Sequence, residues 1–139
     1  MRLALCAILA LTAVACDSAG SDPTPYSGII EVSLARTTDG AAGLRLVATD
    51  DGGCADPLVV ETEATPTSLR VRVVGIGVQS ACEALIPASA VVALPFAQQG
   101  EFPVEVAHRG ATDAYAYSIG FAGETLAAVR TSTTRLATP

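Results

Sequence analysis

Apolar residues recur at every second position along most of this chain. That period suits a strand with one buried face and does not suit an amphipathic helix, whose buried stripe recurs at 3.6. Ile30, Val32 and Leu34 alternate with Glu31, Ser33 and Ala35, and Leu44, Leu46 and Ala48 follow the turn signal Thr38-Asp39-Gly40, so the two runs read as a hairpin. Leu58 and Val60 begin a third run. Leu69, Val71 and Val73 alternate with Arg70 and Arg72 in a fourth, and Pro66 marks the turn between them.

Further runs cover Val91 to Phe96, then Phe102, Val104 and Val106, then Tyr115, Tyr117, Ile119 and Phe121, and finally Leu126 to Arg130. Gly110 and Asp113 are read as turn residues, and Gly123 permits the last reversal. About eight short strands at this spacing predict an all-β fold, an antiparallel β-sandwich of about seven to eight strands with one shared core. A short helical turn is allowed at Cys82-Glu83-Ala84-Leu85, before Pro87 stops it. Gly75 and Gly77 imitate the start of a glycine-rich nucleotide loop but lack its third glycine and acidic partner, so they read as a strand irregularity.

The first residues follow a different pattern. Met1-Arg2 is followed by an apolar stretch from Leu3 to Ala15 broken only by Thr12, which is the grammar of a signal peptide. As a helix it reaches about 20 Å, short of the roughly 30 Å hydrocarbon core. Ala13-Val14-Ala15-Cys16 resembles the lipobox of bacterial lipoproteins, with Ala13 where that family usually has Leu. The resemblance implies cleavage before Cys16, a lipid on its thiol, and a cell-envelope protein held on the exported side of a membrane. Ala13-Val14-Ala15 also satisfies the small-x-small rule of an ordinary secretory signal. Cysteine arithmetic separates the two. Cys6 leaves with the signal, so plain secretion strands an odd cysteine among Cys16, Cys54 and Cys82, whereas lipidation consumes one. The expected organisation is a signal peptide (1–15), a lipidated cysteine and flexible tether rich in small residues and proline (16–26), a sandwich domain (27–131) and a disordered C-terminal tail (132–139).

After Cys16 the chain keeps seven Arg against fourteen acids, so its surface repels phosphate backbones and nucleic acid is a poor partner. Aromatic residues are few: three Phe, three Tyr and no Trp. Core volume therefore comes from Val, Leu, Ile and Ala, which suits packed β-layers better than an aromatic ligand groove. From Ser27 to Arg130 the pattern resembles immunoglobulin-like and fibronectin-like sandwiches, without the Trp between paired cysteines of antibody domains. A shared sandwich plan carries no function with it.

The residues that could carry chemistry are scattered. His108 is the only imidazole and no serine has a nucleophile-elbow flank. Cys54, Cys82 and His108 do not make a zinc-ligand pair spacing, and Asp50, Asp51 and Asp56 lack the calcium-loop pattern. Glu61 and Glu63 fall on one strand face, about 7 Å apart by strand rise, and read as a solvated face rather than a glycosidase pair. No catalytic set, metal or cofactor is expected. The predicted role is a non-catalytic binding or scaffolding module that meets another envelope protein, with a small-ligand binder or a periplasmic hydrolase using His108 as the alternative. The expected contact patch is a loop carrying His108, Arg109, Asp113 and Tyr115.

Cys54 and Cys82 are expected to form a disulfide, because they are the thiols left in an exported domain. In the chain-entropy model a loop of this size contributes about 3–4 kcal/mol. Peptide mapping without reductant, on protein from its native compartment, should recover the two peptides linked. Two alkylatable thiols would show the bond absent, and Cys82→Ser would then cost little stability.

Overall fold

The alternating runs become nine strands. In the computed structural model, which describes residues 22–50, 53, 56–78 and 85–138, they are β1 (Ile30–Arg36), β2 (Ala42–Ala48), β3 (Leu58–Thr65), β4 (Ser68–Ile76), β5 (Ser89–Ala93), β6 (Gly100–His108), β7 (Ala111–Gly120), β8 (Gly123–Arg130) and β9 (Thr134–Leu136). They form two sheets, one in the order β5-β2-β1-β9 and one in the order β3-β4-β6-β7-β8. The facing sides bury Ile30, Val32, Leu44 and Leu46 from the first and Leu69, Val71, Val104, Val106 and Tyr117 from the second, in one continuous core.

Successive strands run alternately from one end of the sandwich to the other. The end where the N-terminal segment joins, through reciprocal Thr24 and Ile76 backbone hydrogen bonds of 2.8 Å, is the entry end. β1, β3, β5, β7 and β9 run away from it, and the even-numbered strands return. Any two neighbours separated by an even number of steps must then be parallel. The register agrees: β4 pairs with β6 and β1 with β9 in parallel, while the other five pairings are antiparallel. The all-β sandwich is as expected, but its sheets are mixed rather than wholly antiparallel. The cause is that β5 and β9 cross to the other layer, which leaves β4 beside β6 and β9 beside β1. The parallel pairs also depart from the all-antiparallel immunoglobulin plan.

The first hairpin forms as expected, and its register sets Ile30 opposite Ala48 and Leu34 opposite Leu44. Other expectations need correction. The segment expected as a disordered tail, 132–139, is ordered through its described residues, since Thr134–Leu136 is β9 and Ala137 N donates to the Val32 carbonyl at 2.9 Å. The ordered domain also begins before residue 27, at the Thr24 bridge. Asp113 lies within β7, not in a turn, because the Arg109-Gly110 pair alone closes that hairpin. Both turn residues have positive φ, 52° and 76°, the twist a two-residue hairpin loop requires. Phe121 leaves the core alternation because Phe121-Ala122 forms the β7–β8 turn, where its side chain is 99% exposed. The allowed helical turn falls mostly outside the described residues, and from Ile86 onward the chain is extended or turn. Cys16, Cys54 and Cys82 also lie outside the described residues.

Gly75 sits at the irregularity read from the sequence. The β3–β4 register shifts between Val59 and Val60, so that Val59 faces Gly75 and Val60 faces Val73. A Cβ on Gly75 would press into the Thr24 carbonyl, so the missing side chain is what lets the N-terminal segment lie against β4. Gly75→Ala should therefore cost about 2 kcal/mol and weaken amide protection at Thr24 and Ile76. Gly120→Ala, with open space around the new carbon, is the near-neutral control. Urea unfolding with hydrogen exchange compares them, and equal effects would remove the close approach as the cause.

Candidate functional site

The four residues expected to form a loop patch are not together on the surface. Arg109 alone is exposed, at the tip of the β6–β7 hairpin. His108 is buried at the end of β6, with Nε2 2.9 Å from the Gly28 carbonyl oxygen and its ring stacked on Tyr26 at 5.9 Å between centroids. It ties the N-terminal segment to the second sheet. Asp113 and Tyr115 point into the core because they share the inward parity of Tyr117 and Ile119. The patch is instead a structural junction, with the Tyr115 hydroxyl against Thr134 Oγ1 and the Asp113 carboxylate against the chain leading into β9.

That carboxylate is surrounded by donors. Oδ1 accepts from Ser132 N at 2.9 Å and Ser132 Oγ at 2.8 Å. Oδ2 accepts from Thr133 N at 2.9 Å, and from Thr134 N and Thr134 Oγ1 at 2.7 Å each. Burial pushes the acid up, but the hydrogen bonds from Thr134, Ser132 and Thr133 outweigh it and hold Asp113 well below the usual carboxylate range. Burial of Tyr115 and the nearby Asp113 charge raise the Tyr115 phenol. Sequence reading missed this junction, although two signals were present: Asp113 keeps the inward parity of β7, and four hydroxyl residues, Thr131 to Thr134, follow β8.

On the outer face of the five-stranded sheet, charges alternate across neighbouring strands. Arg72 Nε donates to Glu61 at 3.0 Å, and Arg70 Nε donates to Glu105 at 2.8 Å, with Glu63 opposite Arg70 in the register. Glu61 and Glu63 are thus members of an ion-pair ladder that lines a shallow groove of about 470 Å³ with Thr112 and Ala107. Such exposed pairs contribute little stability but fix a pattern of charge. No group of three or more metal-ligating side chains gathers among the described residues.

The two ends of the sandwich differ. At the far end Phe121 projects from the β7–β8 turn, and Pro66 and Thr67 of the β3–β4 turn, Pro95, Ala97 and Gln98 of the β5–β6 connection and Phe102 of β6 line a cleft of about 180 Å³. Phe102 stacks on Phe96 beneath it at 4.4 Å, which anchors the cleft floor. The Arg36 to Glu124 ion pair, 3.1 Å, joins the two sheets near this end. The entry end carries the apolar residues Val78, Leu85 and Ile86 on its surface. The chain is a two-layer mixed β-sandwich in class. No family model, curated protein or solved structure matches it.

Asp113→Asn keeps the shape but places an amide among donors, so it should cost about 3 kcal/mol and loosen Thr134–Leu136. The wild-type carboxyl titrates below its unfolded value of about 3.9, so its contribution is full above that pH and declines as pH falls through the acid range. Urea midpoints measured from neutral to acid pH should fall more steeply for wild type than for Asp113→Asn. Parallel curves would remove Asp113 as the source.

Proposed function

We propose that this chain is a lipid-anchored, non-catalytic binding module of the cell envelope, attached through Cys16 and meeting another envelope protein at the far end of its sandwich. The observation that carries the reading is the opposition of the two ends. The N-terminal segment enters beside Ile76, whereas Phe121 stands at the other end of β7, about 30 Å away by strand rise. An anchored domain of this shape displays its far end to partners and keeps its entry end close to the membrane. Of the six aromatic residues Phe121 alone is fully exposed, and the nearby Pro66–Phe102 cleft supplies a second apolar feature within the same surface. Lipidation follows from the Ala13-Val14-Ala15-Cys16 lipobox resemblance and the odd cysteine left by plain secretion.

The proposed Cys54–Cys82 disulfide would close the same end at which the N-terminal segment enters. Support comes from the flanking residues: Ile86 N donates to the Gly53 carbonyl at 3.0 Å, Gly77 N donates to the Pro57 carbonyl at 2.9 Å, and Pro57 bridges to Ser89. The segments leading into and out of both cysteines are therefore held near one another.

Two measurements test the function. Intact mass of the mature protein should show a diacylated or triacylated Cys16, retained in the membrane fraction through high-salt washing because two or more acyl chains resist release. A free Cys16 thiol would defeat the anchor. A photo-crosslinking residue placed at Phe121 in cells should give a discrete adduct with an envelope protein, and the same residue at Arg45, on the outer face of the other sheet, should not. Equal yields at both positions would remove the far end as the contact surface.

A further inference from the structure

We infer that the entry end of the sandwich rests on the bilayer itself, with Val78, Leu85 and Ile86 in the interfacial layer and Arg109 beside the lipid phosphates, an assignment that rests on the lipid-anchored reading above. Leu85 is 80% exposed, Val78 64% and Ile86 49%, and these three account for half of the large exposed hydrophobic residues among the described part of the chain. They share one end through described contacts. Val78 follows Gly77, which is bonded to Pro57, and Ile86 is bonded to Gly53.

The reach of the tether decides what covers them. Eight Cα-to-Cα steps separate Cys16 from Thr24, which is bonded to Ile76 two positions before Val78. Fully extended they span at most about 28 Å, and any slack brings the end closer. A lipidated Cys16 therefore holds this surface within about 28 Å of the headgroup layer and leaves it free to reach it, where exposed Leu, Ile and Val lose contact with water and an Arg finds phosphate oxygens. Asp22 and Asp50 are exposed at the same end, so the lipid surface it suits is zwitterionic rather than strongly anionic.

The absence of tryptophan makes a clean test, since one introduced Trp is the sole indole. Full-length lipidated protein carrying Leu85→Trp or Phe121→Trp is reconstituted into phosphatidylcholine vesicles with nitroxide-labelled lipid. Both positions are exposed, so neither substitution disturbs the core. The Leu85→Trp emission should shift to the blue and be quenched at least about threefold more strongly than Phe121→Trp, as insertion by some 5–10 Å requires. Raising the phosphatidylglycerol content should reduce that quenching. Equal, weak quenching at the two positions in protein whose mass shows a lipidated Cys16 overturns the docking and leaves the anchor standing. A mass showing a free thiol, with protein lost from the vesicles, overturns both.

Discussion

The Asp113 carboxylate sits where the two sheets exchange the chain, and the closure of the sandwich depends on it. β8 ends one layer and β9 belongs to the other, so residues 131–133 must cross the edge of the core. A crossing strips backbone amides from their sheet partners and leaves them to be paired by something else. Asp113 supplies both oxygens to the amides of Ser132, Thr133 and Thr134 and to hydroxyls of the same residues. A charge so placed is costly unless its lone pairs are filled, and here five close donors fill them. β9 then pairs with β1, whose start also receives the His108 contact through the preceding Gly28 segment.

The same junction ties the N-terminal and C-terminal segments to one end of the molecule. Gly28 is held by His108, Thr24 by Ile76, and Thr134 by Asp113 and Tyr115. Buried polar side chains among the described residues, His108, Asp113 and Thr134, all belong to it. The far end is held differently, by the Arg36 to Glu124 pair and the stacked Phe96 and Phe102 rings. The entry end is thus held by buried polar contacts and the far end by a surface ion pair and ring stacking, while exposed apolar residues stand at both, Val78, Leu85 and Ile86 at the first and Phe121 at the second.

The residues that form strands, and those that face the core, were legible because a strand exposes its faces alternately and the chain keeps apolar residues on one of them. Ile30, Val32, Leu44, Leu46, Leu69, Val71, Val104, Val106, Tyr115 and Tyr117 are all where their parity puts them. The candidate site was much less legible. His108, Arg109, Asp113 and Tyr115 are close in sequence, but a two-residue turn sends Arg109 outward while parity sends Asp113 and Tyr115 inward. Phe121 continued the apolar alternation by count and left it because the hairpin turns there.

Sequence by itself determined the first eight strands, their inward faces and the turns at Gly40, Pro66, Gly110 and Gly123, but not β9, whose residues read as a tail. These are local properties, set by side-chain period and by which residues accept a reversed backbone. Which strand lies beside which was decided only in three dimensions. β5 and β9 change layers, and that choice makes β4 parallel to β6 and β1 parallel to β9. Pairing across layers depends on how two apolar faces close over one another and on where a buried charge finds its donors. Neither quantity is carried by neighbouring residues, so Asp113 and the hydroxyl run nineteen to twenty-one positions beyond it acquired their shared role only when the chain folded.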